Sequence, residues 1–427
     1  MDFLDDKEEL NDRDLFFDPE AKACSSKGKK ATREFIDFFL HVEKHKGLRQ
    51  RARKAKDTEI LNFQLEAIVA NIVAGHLRKK PTPIAITLSK QTIGRASSHP
   101  ILNDTLRSVL DLLDRTSGIK FKLGSYSEHR LSTISVGLFI ESLISKHALV
   151  KSDFIAKNRN PVILRKIKTP AQRAAKKSGT EIELPDTPEA RGLVQEVIKF
   201  NEFLDNQTIE YIGSKEKIDD ERKSVHRVFN NGKLTDGGRI YGGFWQQLSG
   251  AKDGKDDERE VDILINGEHL VGLDYGQIAF RILYSFEGVQ PEMEDIYILP
   301  GWENSREGVK KFMNAMFNDP YNESSAVRKH FKDRKSLNRE ELTRHVKQAI
   351  TKYHSPVMNH VGGKSTFKVF YEESNHLMRV LLQLVNMNIP ALPVHDCLYV
   401  RLSDKDLVKE LMETSFKEYF KVNIKVK

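Results

Sequence analysis

The chain has 427 residues, 39% of them apolar, with 69 Lys and Arg against 61 Asp and Glu, for a net charge of +8. That length exceeds one ordinary domain and predicts two or three, with enough apolar side chains to build real cores. No run of 18 apolar residues occurs, which excludes a membrane-spanning helix, and two distant cysteines, Cys24 and Cys397, exclude a disulfide framework or zinc cluster and fit a reducing cytoplasm.

Residues 1–20 carry nine acidic and two basic side chains, a net of −7, so the rest of the chain carries +15, the difference between +8 and −7. A basic body behind an acidic start suggests a polyanionic partner. The start lacks the basic residues and apolar stretch of a signal peptide. Residues 1–33 read as a mobile tail, acidic first and then basic. Residues 34–80 read as helical: Phe35, Phe38, Phe39 and Val42 recur at helical spacing, and a second helix is expected over 58–77. Pro81 and Pro83 break that pattern.

Residues 81–156 form a module of their own. Ile84 to Leu88 is a short apolar segment, and Ile101, Leu102, Leu106, Val109, Leu110 and Leu113 form one apolar stripe ended by Gly118. Two β-like segments follow, 119–123 and 130–134, around a turn at Gly124-Ser-Tyr-Ser. Helix, glycine and hairpin resemble a winged helix-turn-helix, which would put the 101–117 helix in a groove. A small α+β packing domain fits the same pattern.

Residues 157–177 contain eight Lys or Arg and no acid, including Arg159, Arg165, Lys166, Lys168 and Arg173. They are candidate phosphate contacts, and a solvated basic linker is the alternative. Residues 187–217 read as a helix, so 157–230 is expected to be a basic linker followed by a thumb-like helical segment. From 231 the pattern changes. Residues 237–247 are rich in glycine and aromatics, and Arg239 within them is a candidate nucleic-acid contact. Val261 to Ile265, an Asn266-Gly267 turn and His269 to Leu273 make a hairpin signal that ends at Asp274, with a helix expected from Ile278 to Phe286. Downstream, apolar flanks around His395-Asp396 read as a tight turn between two short strands. Two carboxylates brought together in this way can hold two Mg²⁺ ions, which suits in-line phosphoryl transfer. Taken singly, each Asp could be only a strand-end residue.

Asp274-Tyr-Gly-Gln-Ile-Ala-Phe-Arg-Ile-Leu resembles the first catalytic motif of the family A DNA polymerases, usually Asp-Tyr-Ser-Gln-Ile-Glu-Leu-Arg-Ile-Leu. His395-Asp396 followed by Cys-Leu-Tyr-Val resembles their third motif, and that of the single-subunit phage-type RNA polymerases. Arg306-Glu-Gly-Val-Lys310 resembles the start of the second. The likeness covers about residues 235–427. It implies an α/β right-hand polymerase palm over 231–427 with a short fingers insertion at about 300–375, preceded by the helical and winged-helix-like modules. It also implies Asp274, Asp396 and the Tyr275 carbonyl as ligands of two Mg²⁺ ions, with Mn²⁺ as a substitute. Arg306 and Lys310, one turn apart on a helix, would grip the triphosphate. His395 would lie near the primer end, and Tyr275, Gln277 and Ala279 would border the nucleotide. The implied partners are a DNA or RNA primer-template and nucleoside triphosphates.

Three departures stand out. The stretch Asn314-Ala-Met-Phe-Asn replaces the usual Tyr-Gly after the second motif. Cys397 replaces the Glu after Asp396, so no third carboxylate is available there, and the phage-type enzymes also lack it. Ala279 stands where the DNA polymerases carry a Glu that crowds the 2′-hydroxyl, so ribonucleotide tolerance is expected. A template-independent nucleotidyltransferase and a DNA-binding replication protein with a degenerate palm remain alternatives.

Overall fold

The computed structural model describes residues 17–49, 51–78, 81–88, 100–125, 131–155, 161–170, 172, 179–215, 218, 220–251, 254–318, 330–331 and 337–427. The acidic segment 1–16 and the basic residues Lys157, Arg159, Arg173, Lys176 and Lys177 lie outside these. The chain is mixed α/β and divides into two compact units, one over Asn11–Arg159 and one from Asn160 to Lys427. No helix among the described residues is long and apolar enough to cross a membrane.

The first of these units joins the tail, expected to be mobile to residue 33, to the fold by residue 17. Phe17 donates its N–H to the Ala85 carbonyl at 2.7 Å. Strand β1 (Lys22–Ala23) and helix α1 (Ser26–His45) follow, and Ser25 caps α1 by accepting from the Gly28 N–H at 3.0 Å. Then come α2 (Ala55–His76), β2 (Ile84–Ile86), α3 (Leu106–Arg115), β3 (Ile119–Lys122), β4 (Ser132–Val136), α4 (Leu138–His147) and β5 (Phe154–Ile155). β1 pairs antiparallel with β5, and β2, β4 and β3 form an antiparallel sheet in the order β2-β4-β3. Phe35, Phe39, Ile68, Leu110, Leu113 and Ile134 meet in the core. At the end of α3 the left-handed residue is Ser117 (φ 57°), not Gly118. Gly118 serves packing instead, because a Cβ there would come within 3.1 Å of the Phe38 ring.

The second unit holds β6 (Val162–Arg165), β7 (Glu181–Ile182), α5 (Pro188–Asp205), β8 (Ile209–Tyr211), β9 (Val225–Phe229), β10 (Gly237–Gly242), the short α6 (Glu258–Asp262), β11 (Ile263–Ile265), β12 (Glu268–Asp274) and α7 (Ile278–Phe286). It continues with α8 (Arg306–Asn318), α9 (Arg339–Tyr353), α10 (Thr366–Asn386), β13 (Ala391–Val394), β14 (Cys397–Arg401) and α11 (Lys405–Phe420). In the segment 157–230, expected as basic linker and helix, the helix is present as α5, but the part before it and the part after it also supply the short strands β6, β7, β8 and β9. β6 is an internal strand of the sheet β10-β9-β6-β7, parallel to β9, and β8 is the edge of the antiparallel sheet β13-β14-β12-β11-β8. The apolar triplet Val162-Ile-Leu is what buries β6. The Asn266-Gly267 turn forms as expected, with both residues at positive φ (51° and 85°) and a register of Ile265 against Glu268. Residues 258–262 are a helical turn, so the first hairpin strand begins at Ile263 rather than Val261.

A fully buried guanidinium ties β9, β10 and α10 together. Arg227 donates to the Gly238 carbonyl at 2.8 Å, to Ser374 Oγ at 3.0 Å and to Asn375 Oδ1 at 2.6 Å. It also lies against the Phe229 ring, 4.9 Å from its centroid. Burial pushes it down to about 10, still well above neutrality, so it stays charged. Arg227→Met should therefore cost about 3 kcal/mol, because each acceptor left without a donor loses about 1–3 kcal/mol. Arg191→Met, which removes an exposed ion pair to Asp186, should cost under about 0.5 kcal/mol. Both tryptophans, Trp245 and Trp302, belong to this unit, so their fluorescence during guanidinium unfolding measures both values. Equal costs would refute the assigned role of Arg227.

Candidate active site

β12 and β14 are neighbours in register, with Leu273 opposite Leu398 and Asp274 opposite Cys397. Cys397 also pairs with Val394 across the β13–β14 turn, so the turn is two residues long and consists of His395 and Asp396. His395 takes the positive φ (55°) that such a turn requires. The register sets Asp396 beside the end of β12, where Tyr275 donates its N–H to the Asp396 carbonyl at 3.3 Å. On the other side of β12, Asp274 N–H donates to Lys427 O at 3.2 Å and Lys427 N–H to Asp274 O at 3.0 Å. The backbone at Asp274 is thus held from both sides.

The two carboxylates crowd one another. Asp274 is pushed up to about 7, first by burial and then by the charge of Asp396, against the opposing pull of Lys310 and Lys427. Asp274 remains exposed as a residue, so the packing of protein and of Asp396 on one side of its carboxylate, rather than complete enclosure, is what raises its proton affinity. Cys397 is pushed up by burial and by both carboxylates, so it remains a neutral thiol. Lys310, on α8, is half-buried and close enough to offset the charge of Asp274.

A third carboxyl belongs to this cluster, and sequence reasoning missed it. Glu373 on α10 is 2% exposed and pushed up to about 7, first by burial, with Arg239 opposing and Asp396 adding. Arg239 of β10 reaches it at 2.9 Å and lies over the Phe370 ring, 3.8 Å from its centroid. The available signal was an acid in an otherwise apolar helical stripe, Val369, Glu373, Leu377 and Val380.

Other expected residues have structural partners. The Tyr275 side chain is buried, within 2.9 Å of His376 Nε2 and 3.1 Å of the Met412 carbonyl, which leaves only its backbone beside the carboxylates. Burial pushes His376 down to about 3, so it is neutral. Gln277 occupies a left-handed position (φ 67°) and its Oε1 accepts from Ile296 N–H at 3.1 Å. Arg306 pairs with Asp295 at 2.7 Å over the Tyr297 ring. Ala279 lines a cavity of about 20 Å³, room for one water, with Phe280, Phe317, His360, Ser365 and Phe370. His395 is exposed on its turn.

Arg165 requires correction as a phosphate contact. It is the last residue of the internal strand β6, 2% exposed and 3.5 Å from Glu181, and a guanidinium sealed in a sheet cannot meet a polyanion. Lys166 and Lys168 follow it on the adjoining loop.

Among the described residues no group of three or more His, Cys, Asp or Glu is arranged to hold a metal by itself. A carboxylate pair is the smaller donor set that suits Mg²⁺ when substrate phosphates complete the shell. No protein-family model matches this sequence, and no curated protein matches it.

The crowding has a consequence for stability. Asp274 is near 7 when folded and 3.8 when unfolded, so between those values the native state binds more protons. Stability from this group is full below about 4 and falls as pH rises toward about 7. Asp274→Asn should therefore raise Tm relative to the parent at pH 8 in chelator, with a smaller gain at pH 5. A gain independent of pH would contradict the crowded carboxylate.

Proposed function

We propose that this chain is a nucleic-acid polymerase that transfers nucleotides from triphosphates to a 3′ end, template-directed and tolerant of ribonucleotides. The observation that carries this reading is the pair Asp274, at the end of β12, and Asp396, in the turn beside it, with Lys310 near enough to offset the charge of Asp274. The likeness of the three sequence motifs to family A polymerases supports it independently, and so does the antiparallel sheet, which is of the kind a palm would need. In the other unit, the sheet order β2-β4-β3 with α3 directly before β3 supports a winged-helix-like reading.

The mutual repulsion of Asp274 and Asp396 is the situation a divalent cation relieves. Both carboxylates and the Tyr275 carbonyl would hold Mg²⁺, or Mn²⁺ in its place. When bound, such ions supply activation of the 3′-hydroxyl and stabilisation of the leaving pyrophosphate. Lys310 meets the negative charge of the triphosphate, and Arg306 joins it by exchanging Asp295 for phosphate oxygens. Arg239, held by Glu373 and Phe370, keeps a cation on hand for the nucleic acid. The methyl group of Ala279 leaves the sugar edge open.

Asp274→Asn and Asp396→Asn should each reduce primer extension about a thousandfold or more, several kcal/mol of barrier, while nucleic-acid binding stays near that of the parent. Near-normal extension by either variant would refute the assignment. For sugar choice, the kcat/KM for ATP should lie within about tenfold of that for dATP, since discrimination built on repulsion is lost with the repelling group. Ala279→Glu should restore a preference for dATP. Strong exclusion of ATP by the parent would sink this part of the reading.

A further inference from the structure

Residues 22–56 carry twelve Lys or Arg against three Asp or Glu, a net of +9 that exceeds the charge of the entire chain. The fold decides how that charge is presented. The apolar side of α1 is spent on the core, where Phe35 and Phe39 are fully enclosed. The opposite side exposes Lys29, Lys30, Arg33 and Lys44, with Asp37 as the exposed acid. The other two acids are engaged inside the unit: Glu34 by Lys146 at 2.8 Å and His147 at 3.2 Å, Glu43 by Arg53 at 2.6 Å. The stripe continues around the corner into α2 through Lys46, Arg49, Arg51, Lys54 and Lys56, all exposed. Between residues 44 and 56, Arg53 alone forms an ion pair among the described residues.

We propose that this face, the outer side of α1 and its corner with α2, is a binding surface for a nucleic-acid backbone. At 1.5 Å per residue, Lys27 to Lys46 spans about 30 Å along the helix, the length of roughly nine base pairs. Lys54 caps α2 without a side-chain hydrogen bond, and Lys56 stands in its first turn. Lysines there oppose the helix dipole, a folding cost that a bound polyanion offsets. A lipid surface fits less well, since insertion needs a continuous apolar face beside the charged one, and along α1 and its corner only the separate side chains Leu40 and Leu48 are large, apolar and exposed among the described residues. The surface goes beyond the polymerase reading and does not depend on the carboxylate pair.

The test uses the full chain and the variant Arg33→Gln/Lys44→Gln/Arg49→Gln/Lys54→Gln, its fold checked by circular dichroism. Anisotropy of a labelled duplex and a labelled single strand is followed across about 50–200 mM NaCl. The log–log salt slope on duplex should become shallower by about 3 to 4, near 0.9 per lost contact, and on single strand by about 0.7 each. Affinity at low salt should fall at least tenfold, and Lys44→Arg/Lys54→Arg should keep both affinity and slope. An unchanged slope in the neutralised variant overturns the proposal. So does tighter binding of the parent to phosphatidylserine vesicles than to either nucleic acid. Binding is read here without incorporation, so an inactive carboxylate pair would sink the polymerase reading and leave this surface standing.

Discussion

The register between β12 and β14 constrains everything around it. Hydrogen bonding sets Asp274 opposite Cys397, and a two-residue turn then leaves Asp396 no choice but to stand beside Asp274. Two like charges held close together cost free energy, which the surrounding backbone must offset by making any other arrangement worse. It does so through bonds that are indifferent to charge. Tyr275, Gly276 and Asp274 all have their N–H groups committed to carbonyls of the adjoining turn or of the segment 425–427. The two residues cannot drift apart without breaking these ladders, so repulsion adds to desolvation in raising the proton affinity of Asp274 rather than appearing as movement.

Buried guanidiniums repeat this theme. Arg227 holds Gly238, Arg259 holds the carbonyls of Trp245 and Leu248, and Arg281 holds those of Asn423 and Glu294. Arg259 and Arg281 each join an irregular segment to a helix, and Arg227 spans the bulge at Gly238 where the ladder between β9 and β10 shifts register. The glycines of β10 belong to the same device. Gly238, at φ 81°, lets the chain approach so closely that a Cβ would stand 2.9 Å from Arg227 Nη2. Arg239 emerges from this tightly held strand toward Glu373, so its position is fixed from behind by packing and from the front by charge.

Those parts of the fold governed by local chemistry were legible in the sequence. The Asn266-Gly267 turn, helix α7 and the His395-Asp396 turn depend on residues adjacent in the chain, and their signals are sharp. Strand β6 was hidden because three apolar residues between prolines and lysines resemble a linker until a parallel partner more than sixty residues away buries them. β8 was hidden for the same reason, being three residues at the end of a helical pattern. Glu373 could be found only as an oddity in an apolar stripe, since its partner Arg239 is distant in sequence. Gln277 and Tyr275 resembled substrate contacts by motif, and the structure gives their side chains framework bonds that no spacing rule reveals.

The outermost strand β13 has a further consequence. A sheet edge normally offers a row of unmet donors and acceptors to any passing strand, and so invites misassembly. At Pro393 this edge offers neither. Proline has no N–H, and its carbonyl is taken twice, by Trp245 Nε1 at 3.0 Å and Gln246 Nε2 at 2.9 Å. The strand that leads into Asp396 is therefore sealed against recruitment by a second molecule. The indole that fills the core also keeps this border of the sheet from becoming a template for aggregation.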